Sequence, residues 1–596
     1  MTSETTRIVN LPVRSPPPVD ACTRLTAALR TERGTMTLWL MQAEALLEAV
    51  LQRRSSPELG IFVRGGIGTG KTLPGLLFAT VLPPPSPGKR ALYLCPASLR
   101  DKTLRELPEY RRHWRIRPDL LVHSYEELSA DPDLLTRLNV YLVVCDECQA
   151  LKRLSSARTR RALRAARADK GIVWIEMSAT SSTRGIGDHG HLFELPLRSG
   201  SPLPRTAQEL DSWAKCVDSQ VTAEAADWGM IRPLAESWGG PSWQESWDGL
   251  SADRVRLCRR ALNARVASTP GVVTGDRVDV DSRLIIRKVT FNCPPEITNA
   301  LQELQQSGTL PGSGGVSIIP DRKQEANGRG QKNVAESQLC MGFYYRWAWE
   351  RTRNGEPDQQ WLSSRREWSS SLSEYLVPGG QGERAGVDTP RQVVARMSDM
   401  PGAVRRAWAG WEPQRDRYRV TYVGESSSGV GEPIPVEPVW LTTALIDRMV
   451  ERLTSKKGSC ILWYKHKAVA HELRRRGVRV VLSGEDLPWD SLTGDGKPVA
   501  LSEFSHAEGL NLQAWSRMVV CCPGAAKQSP GAQLEQVIGR VHRSGQEAEE
   551  VVVDVWQHAE PLERGLATAL REARYIEDAG GLPQRLNLGE WREVRQ

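Results

Sequence analysis

The sequence predicts an α/β protein made of two parallel-sheet lobes with a largely helical accessory region between them. Three observations carry this. Short apolar runs alternate with helical patterns over about 37–185, the signature of βαβ units around a parallel sheet. The same rhythm returns from about 441. Between these stretches Gly, Pro, Ser and Trp are frequent, and helical segments mix with loops. At 596 residues the chain is also too long for one core.

Residues 1–36 hold the run Ser15-Pro16-Pro17-Pro18 and little periodicity, which reads as a poorly ordered arm. The first lobe is set at 37–190, with expected strands Ile61–Val63, Ala91–Cys95, Leu120–His123, Tyr141–Cys145 and Ile172–Met177. The accessory and linker region is set at 191–440, with mobile loops expected at Gly312–Gly330 and Pro378–Gly386. The second lobe is set at 441–575 and a tail at 576–596. That lobe opens with a helix over Leu441–Leu453, a strand over Cys460–Tyr464 and a helix over Ala468–Arg476. Further strands are expected at Val478–Leu482, Val499–Leu501, Met518–Cys522 and Val551–Trp556.

Composition narrows the class. Hydrophobic content of 40% with 25% charged residues describes a soluble globular protein. No apolar run approaches the roughly 20 residues of a membrane span, and the N-terminus lacks a signal-peptide pattern. A membrane partner is therefore not expected. The 79 Lys and Arg exceed the 71 acids, a net charge of +8 that is compatible with nucleic acid but mostly describes solvated surface. The 11 cysteines are scattered, which points to reduced thiols and a cytoplasmic location. Cys145 and Cys148 form a C-x-x-C without a second pair at zinc spacing.

The densest chemistry lies in Gly65-Gly66-Ile67-Gly68-Thr69-Gly70-Lys71-Thr72, a G-x-x-x-x-G-K-T loop between an apolar run and a helical one. Gly65, Gly68 and Gly70 let backbone N–H groups turn toward a polyphosphate. Lys71 has the reach to meet the outer phosphates, and the Thr72 hydroxyl suits Mg²⁺. A second motif follows about 75 residues on, where the apolar strand Tyr141–Cys145 ends in Asp146-Glu147. The carboxyl end of a parallel strand borders the crevice where ligands bind. There Asp146 suits the Mg²⁺ shell, and Glu147 suits a base that deprotonates attacking water.

With these motifs in order, the chain resembles a superfamily-two helicase or translocase, and within it the Swi/Snf-type branch. The resemblance covers about 37–185 and 441–557. It implies two RecA-like lobes with ATP and Mg²⁺ bound between them. Trp39-Leu40-Met41-Gln42 resembles the glutamine motif, which implies that Gln42 reads adenine. Pro96-Ala97-Ser98-Leu99 resembles motif Ia and Ser124-Tyr125-Glu126 a later contact segment, implying that Pro96, Ser98, Ser124 and Tyr125 serve nucleic-acid contact. Asp146-Glu147-Cys148-Gln149 resembles motif II. Ser178-Ala179-Thr180 resembles motif III of the wider superfamily, implying that Ser178 and Thr180 couple hydrolysis to movement.

In the second lobe Ile461-Leu462-Trp463-Tyr464 resembles the strand of motif IV. Glu508-Gly509-Leu510-Asn511-Leu512-Gln513 resembles motif V, with Gly509 and Asn511 as coupling residues. The most specific match runs from Gln536 through Gly539-Arg540 and Arg543 to Gln546, similar to motif VI. It implies catalytic roles for Gln536, Arg540 and Arg543, with one arginine acting as the finger on the γ-phosphate. A Trp-rich segment followed by Pro438-Val439-Trp440 and Leu462-Trp463-Tyr464-Lys465-His466-Lys467-Ala468-Val469 also resembles the layout of Swi/Snf-type helicases encoded by tailed bacteriophages. The resemblance implies an ATP-driven motor on nucleic acid, with duplex DNA the leading partner. A strand-separating DNA or RNA helicase, or a nucleotide-gated clamp with little turnover, are the alternatives.

Two further clusters have competing readings. Arg160, Arg164 and Arg167 share one helix face, either as a phosphate-tracking stripe or as a solvated surface, and the second is favoured. Trp347, Trp349, Trp361, Trp368, Trp408 and Trp411 suit a base-stacking platform or a small helical core. Because Trp is mostly buried, core is favoured. His466, His506 and His542 form no metal-ligand spacing.

Overall fold

Parallel strands need crossovers, and this chain supplies them with helices. The computed structural model describes all residues except 1–3, 67, 179–184, 220–225, 276–279, 311–324, 348–357, 378–379, 386, 388, 423–435, 455–459, 483–496, 508–509 and 522–529. Side chains are also left out at 188, 325–331, 347, 383–384, 417–422 and 436.

The first sheet contains β1 (Ile61–Arg64), β2 (Arg90–Cys95), β3 (Leu121–Ser124), β4 (Val140–Asp146), β5 (Val173–Ser178) and β6 (Val272–Thr274). Its order is β3-β2-β4-β5-β1-β6 and every pairing is parallel. β1 and β4 are buried along their whole length, as strands covered on both faces must be. Each Val, Ile or Leu so buried contributes about 1.5–3 kcal/mol relative to exposure.

The second sheet takes β7 (Arg283–Thr290) from within 191–440, the segment expected to be accessory. That region contains β8 (Phe343–Trp347) and β9 (Val436–Trp440). The remaining strands are β10 (Ile461–Tyr464), β11 (Val499–Ser502), β12 (Arg517–Val520), β13 (Glu550–Trp556) and β14 (Glu590–Arg595). The order is β11-β10-β12-β13-β7-β14, again all parallel. The α/β fold with two such lobes therefore stands. No helix among the described residues is long and apolar enough to cross a membrane.

The chain divides into two compact units. One holds Met1–Lys152, Arg161–Cys293 and Leu445–Gln596, including both sheets; the other holds Arg153–Arg160 and Pro294–Ala444. In the second unit β8 and β9 pair antiparallel. The helices Gln359–Tyr375 and Gly402–Tyr422 pack through their tryptophans. Trp361 meets Trp411 edge-on at 5.2 Å and Trp368 meets Trp408 at 4.9 Å, with Trp361, Trp368 and Trp408 buried. These tryptophans are core. Trp368→Ala is expected to cost this unit about 3–5 kcal/mol, read as lost hydrogen-exchange protection along both helices; unchanged protection would contradict the core role. Trp349 lies outside the described residues, as does the Trp347 side chain.

Several expectations are corrected. Described residues 4–36 are not a loose arm. They include helices α1 (Glu4–Val9) and α2 (Val19–Leu29), and Ile8 is fully buried in the cluster that holds Phe62 and Trp174. Thr5 donates to Met230 O at 2.9 Å, and Arg14 pairs with Glu48 at 3.0 Å. Of the expected accessory region 191–440, the described residues up to 274 are not accessory to the first sheet. Their helices share its core, and β6 lies on its edge. Val478–Leu482 forms only a single bridge, Val480 to Ala500. Of the two expected loops, 312–324 lies outside the described residues, while 325–330 open the helix Glu325–Leu339. Within the other, Gln381–Arg384 forms one helical turn, and 378, 379 and 386 lie outside the described residues. The arginine stripe is split: Arg160 is buried and donates to Leu376 O at 3.3 Å, whereas Arg164 and Arg167 are exposed.

Helix α3 (Leu40–Ser55) precedes β1, α4 (Thr72–Val81) follows the glycine loop, and α5 (Ala97–His113) follows β2. A Cβ on Gly75 of α4 would lie 2.7 Å from both Tyr93 Cε2 and Met177 Cε. Its absence lets α4 press onto β2 and β5, which fixes the height of the loop above the sheet.

Candidate nucleotide site

The loop from β1 to α4 turns through two left-handed glycines, Gly68 at φ 94° and Gly70 at φ 65°. A side chain at Gly70 would strain that backbone and meet Gln42 Nε2 at 2.6 Å. Lys71 is buried, and its Nζ donates to the carbonyls of Gly65 at 2.9 Å and Gly66 at 3.1 Å. The ammonium is thus folded into the loop's own oxygens, the posture a phosphate would compete for. Gln42 holds the loop from α3. Its Nε2 donates to Thr69 O at 3.2 Å and Gly70 O at 3.1 Å, and its Oε1 accepts from Trp39 N at 2.9 Å. Both ends of the amide expected to read adenine are therefore engaged with backbone.

Asp146 ends β4, 4% exposed. Its Oδ2 accepts from Tyr93 OH at 2.5 Å, and the Tyr93 oxygen is itself bonded to Thr72. A hydroxyl, a phenol and a carboxylate thus link the two residues assigned to Mg²⁺. Burial pushes the Asp146 carboxyl up to about 6, helped by the Glu147 charge and opposed by Tyr93 and Lys71. Hard oxygen donors with an under-compensated buried acid fit Mg²⁺. Sequence reasoning missed Tyr93; its only signal is its place near the carboxyl end of β2.

Glu147 sits in the left-handed region, at φ 52° and ψ 53°. Holding a non-glycine residue there costs of order 1 kcal/mol or more, and its neighbours keep it in place. Gln149 Nε2 donates to Glu147 Oε2 at 2.7 Å, and Ser178 Oγ donates to Gln149 Oε1 at 2.7 Å. The ends of β4 and β5 are joined through three side chains. Gln149 is a second residue that the sequence reading gave no role of its own.

The expected contact residues divide. Pro96 caps α5 and Ser98 is exposed in its first turn. Tyr125 is fully buried, and its OH donates to Asp146 O at 2.9 Å. Ser124 is 3% exposed and caps the next helix by accepting from Glu127 N at 3.1 Å. Tyr125 thus braces the carboxylate motif and Ser124 the start of the next helix, and neither side chain is exposed. Ser178 is likewise buried, in position to couple motif II to β5. Thr180 and Gly509 lie outside the described residues.

In the second lobe the helix Pro530–Val541 carries Gln536, 6% exposed, and Arg540 in its last turn. Arg540 Nε donates to Ala507 O at 2.6 Å, and its carbonyl accepts from Leu512 N at 3.1 Å. Arg543 Nη1 donates to Asn511 Oδ1 at 2.7 Å. Burial holds the Arg543 guanidinium below its usual range, with Arg585 adding like-charge repulsion. Lys102 on α5 is held below its usual range by burial, opposed by Glu106, and the charges of Arg540 and Arg543 add to the depression. Those two arginines therefore lie within electrostatic reach of the first lobe.

The remaining candidates are structural. Cys145 and Cys148 are fully buried beside Glu176, their thiols pushed well up by burial. His542 contacts Ser282 O at 2.8 Å, and His506 Nδ1 accepts from Ser502 N at 2.9 Å. His466 is buried.

No protein-family model matches the sequence, and none of the curated proteins compared matches it. Among solved structures the chain is similar to the SWI2/SNF2 ATPase core of Sulfolobus solfataricus in complex with double-stranded DNA. The identity is 12%, covering 92% of this chain and 94% of that one, with a TM-score of 0.28. A score of that size carries neither fold nor function across. The fold stands on the strand orders and registers above.

Proposed function

We propose that this protein is a nucleic-acid-dependent ATPase of Swi/Snf type that moves along duplex DNA. The observation that carries the reading is the Thr72–Tyr93–Asp146 link beside a lysine-bearing phosphate loop, with Glu147 aimed by Gln149 and Ser178. The bacteriophage origin rests on the layout of the second half alone.

Lys71 leaves the Gly65 and Gly66 carbonyls for the outer phosphates of ATP. Thr72 and Asp146 would hold Mg²⁺, which when bound neutralises charge on the phosphate oxygens. Glu147 takes the proton of the attacking water, and the Gln149–Ser178 chain keeps it oriented. Arg540 and Arg543 supply the second lobe's charge to the same nucleotide. Loss of the γ-phosphate removes what both lobes grip, so the nucleotide state biases the hinge between them. Contacts to DNA fall mainly on phosphate, so binding is sequence-tolerant and weakened by salt.

The test is ATP hydrolysis with and without duplex DNA, single strands and RNA, paired with triplex displacement and fork unwinding. Duplex-stimulated turnover with triplex displacement is the expected result. Fork unwinding without triplex displacement would favour a strand-separating helicase, and turnover indifferent to every nucleic acid would remove the motor reading. Lys71→Ala is expected to weaken ATP binding at least about tenfold, because a charge-assisted hydrogen bond contributes about 1.5–3 kcal/mol. A fluorescent-nucleotide titration with unchanged affinity would contradict it.

A further inference from the structure

Arg64 is the last residue of β1, directly before Gly65, and is 2% exposed. As the end of an apolar strand it has no role in the phosphate loop itself. Its guanidinium instead crosses to the second lobe. Nη2 donates to the carbonyl of Gly580, at the carboxyl end of the helix Glu560–Gly580. Nη1 and Nη2 each lie 3.4 Å from Asn263 Oδ1 on the helix Ser251–Ala267.

No ion pair to Arg64 is present among the described residues, and burial lowers its pKa to about 10. A charge withdrawn from water without an acid is costly unless other dipoles compensate. Here the compensation is the negative end of a helix and one side-chain amide. Nε has no partner among the described residues. The side chain borders a cavity of about 30 Å³ lined by His189, Phe193, Leu262, Tyr575 and Ile576, room for one or two waters.

The two helices that Arg64 reaches form a joint between the lobes. Arg259 lies 5.1 Å from the Tyr575 ring centroid, with its Nη1 3.7 Å from Asp578 Oδ2. A Cβ on Gly581 would come within 2.5 Å of Asn263 Nδ2, so the approach is close. Arg64 joins this contact while its neighbour begins the phosphate loop. Its carbonyl also accepts from Gly275 N at 2.7 Å, where the chain leaves β6 for the second lobe.

We propose that Arg64 is a positioning residue that ties the phosphate loop to the interlobe joint, so that nucleotide binding is read out as movement of the second lobe. The proposal rests on the ATPase reading above. A purely structural arginine would lower the melting temperature when replaced but would leave the coupling between nucleotide and lobes intact.

The experiment uses the full chain with fluorophores at Lys170 and Glu593, exposed positions in the two lobes. Wild type is expected to change interlobe transfer when ATP binds. Arg64→Gln is expected to keep ATP affinity and KM within about threefold of wild type. It should lose at least half of the transfer change, and its nucleic-acid-stimulated kcat should fall about tenfold. Asn263→Ala moves in the same direction by less, and Arg64→Lys is intermediate. Wild-type transfer change and kcat in Arg64→Gln overturn the proposal. If that variant does not fold, the same result in both Arg64→Lys and Asn263→Ala overturns it. Wild-type turnover that no nucleic acid stimulates is a different failure, that of the ATPase reading.

Discussion

Glu147→Gln is expected to bind ATP with near wild-type affinity and to hydrolyse it at least about 10²–10⁴-fold more slowly, the usual contribution of a general base. The substitution is selective for a geometric reason. The amide that replaces the carboxylate keeps one oxygen able to accept from Gln149 Nε2, so the chain that ends at Ser178 survives and the left-handed backbone keeps its support. What is lost is the basic oxygen alone. Asp146, Lys71 and Thr72 are untouched, so binding should persist. Steady-state hydrolysis with saturating duplex DNA, beside a nucleotide titration, checks both halves. Retained turnover would remove Glu147 from the chemistry.

Arg543→Ala is expected to spare the binding of ATP and DNA and to slow turnover by about 10³-fold, the scale of an arginine finger in phosphoryl transfer. Burial and the nearby Arg585 hold the Arg543 guanidinium in an unfavourable cationic setting, relieved only by a neutral amide, Asn511, among the described residues. An arginine so placed gains most when an anion arrives. Arg540 is a less clean target, because its Nε and carbonyl also fix the backbone at Ala507 and Leu512. Single-turnover hydrolysis separates the cases. An Arg543→Ala rate near wild type would move the finger to Arg540 or out of this lobe.

Much of this arrangement was legible in the sequence, for physical reasons. β1 and β4 are buried on both faces, so they read as apolar runs up to their last residue, and the loop and acids follow at their ends; β5 reads the same way despite the buried Glu176 within it. What escaped was set by partners far away in the chain. β6 has three residues, too few for a periodicity. β14 is a mostly exposed edge strand rich in charge, and reads as a polar tail. β7 lies outside the second βα run and joins its sheet only through pairing with β13 and β14. In the site, spacing singled out Asp146 and Glu147, but the phenol that holds Asp146 comes from β2, and the amide that holds Glu147 is Gln149 at the end of motif II itself. The burial of Tyr125 depends on how β3 and β4 sit in the folded lobe, which no local pattern records.

The strand order of the second sheet has a consequence for biosynthesis. Arg287 of β7 pairs with Asp554 of β13, 267 residues further on. At about 5–20 residues per second, β7 waits on the order of ten to fifty seconds after leaving the ribosome before its partners exist. Through that interval a strand bearing Leu284, Ile285, Ile286 and Val289, with open hydrogen-bonding edges, is presented to the cell. The nascent chain is therefore expected to need a holding chaperone at this segment, and fragments that end before β13 should precipitate rather than fold.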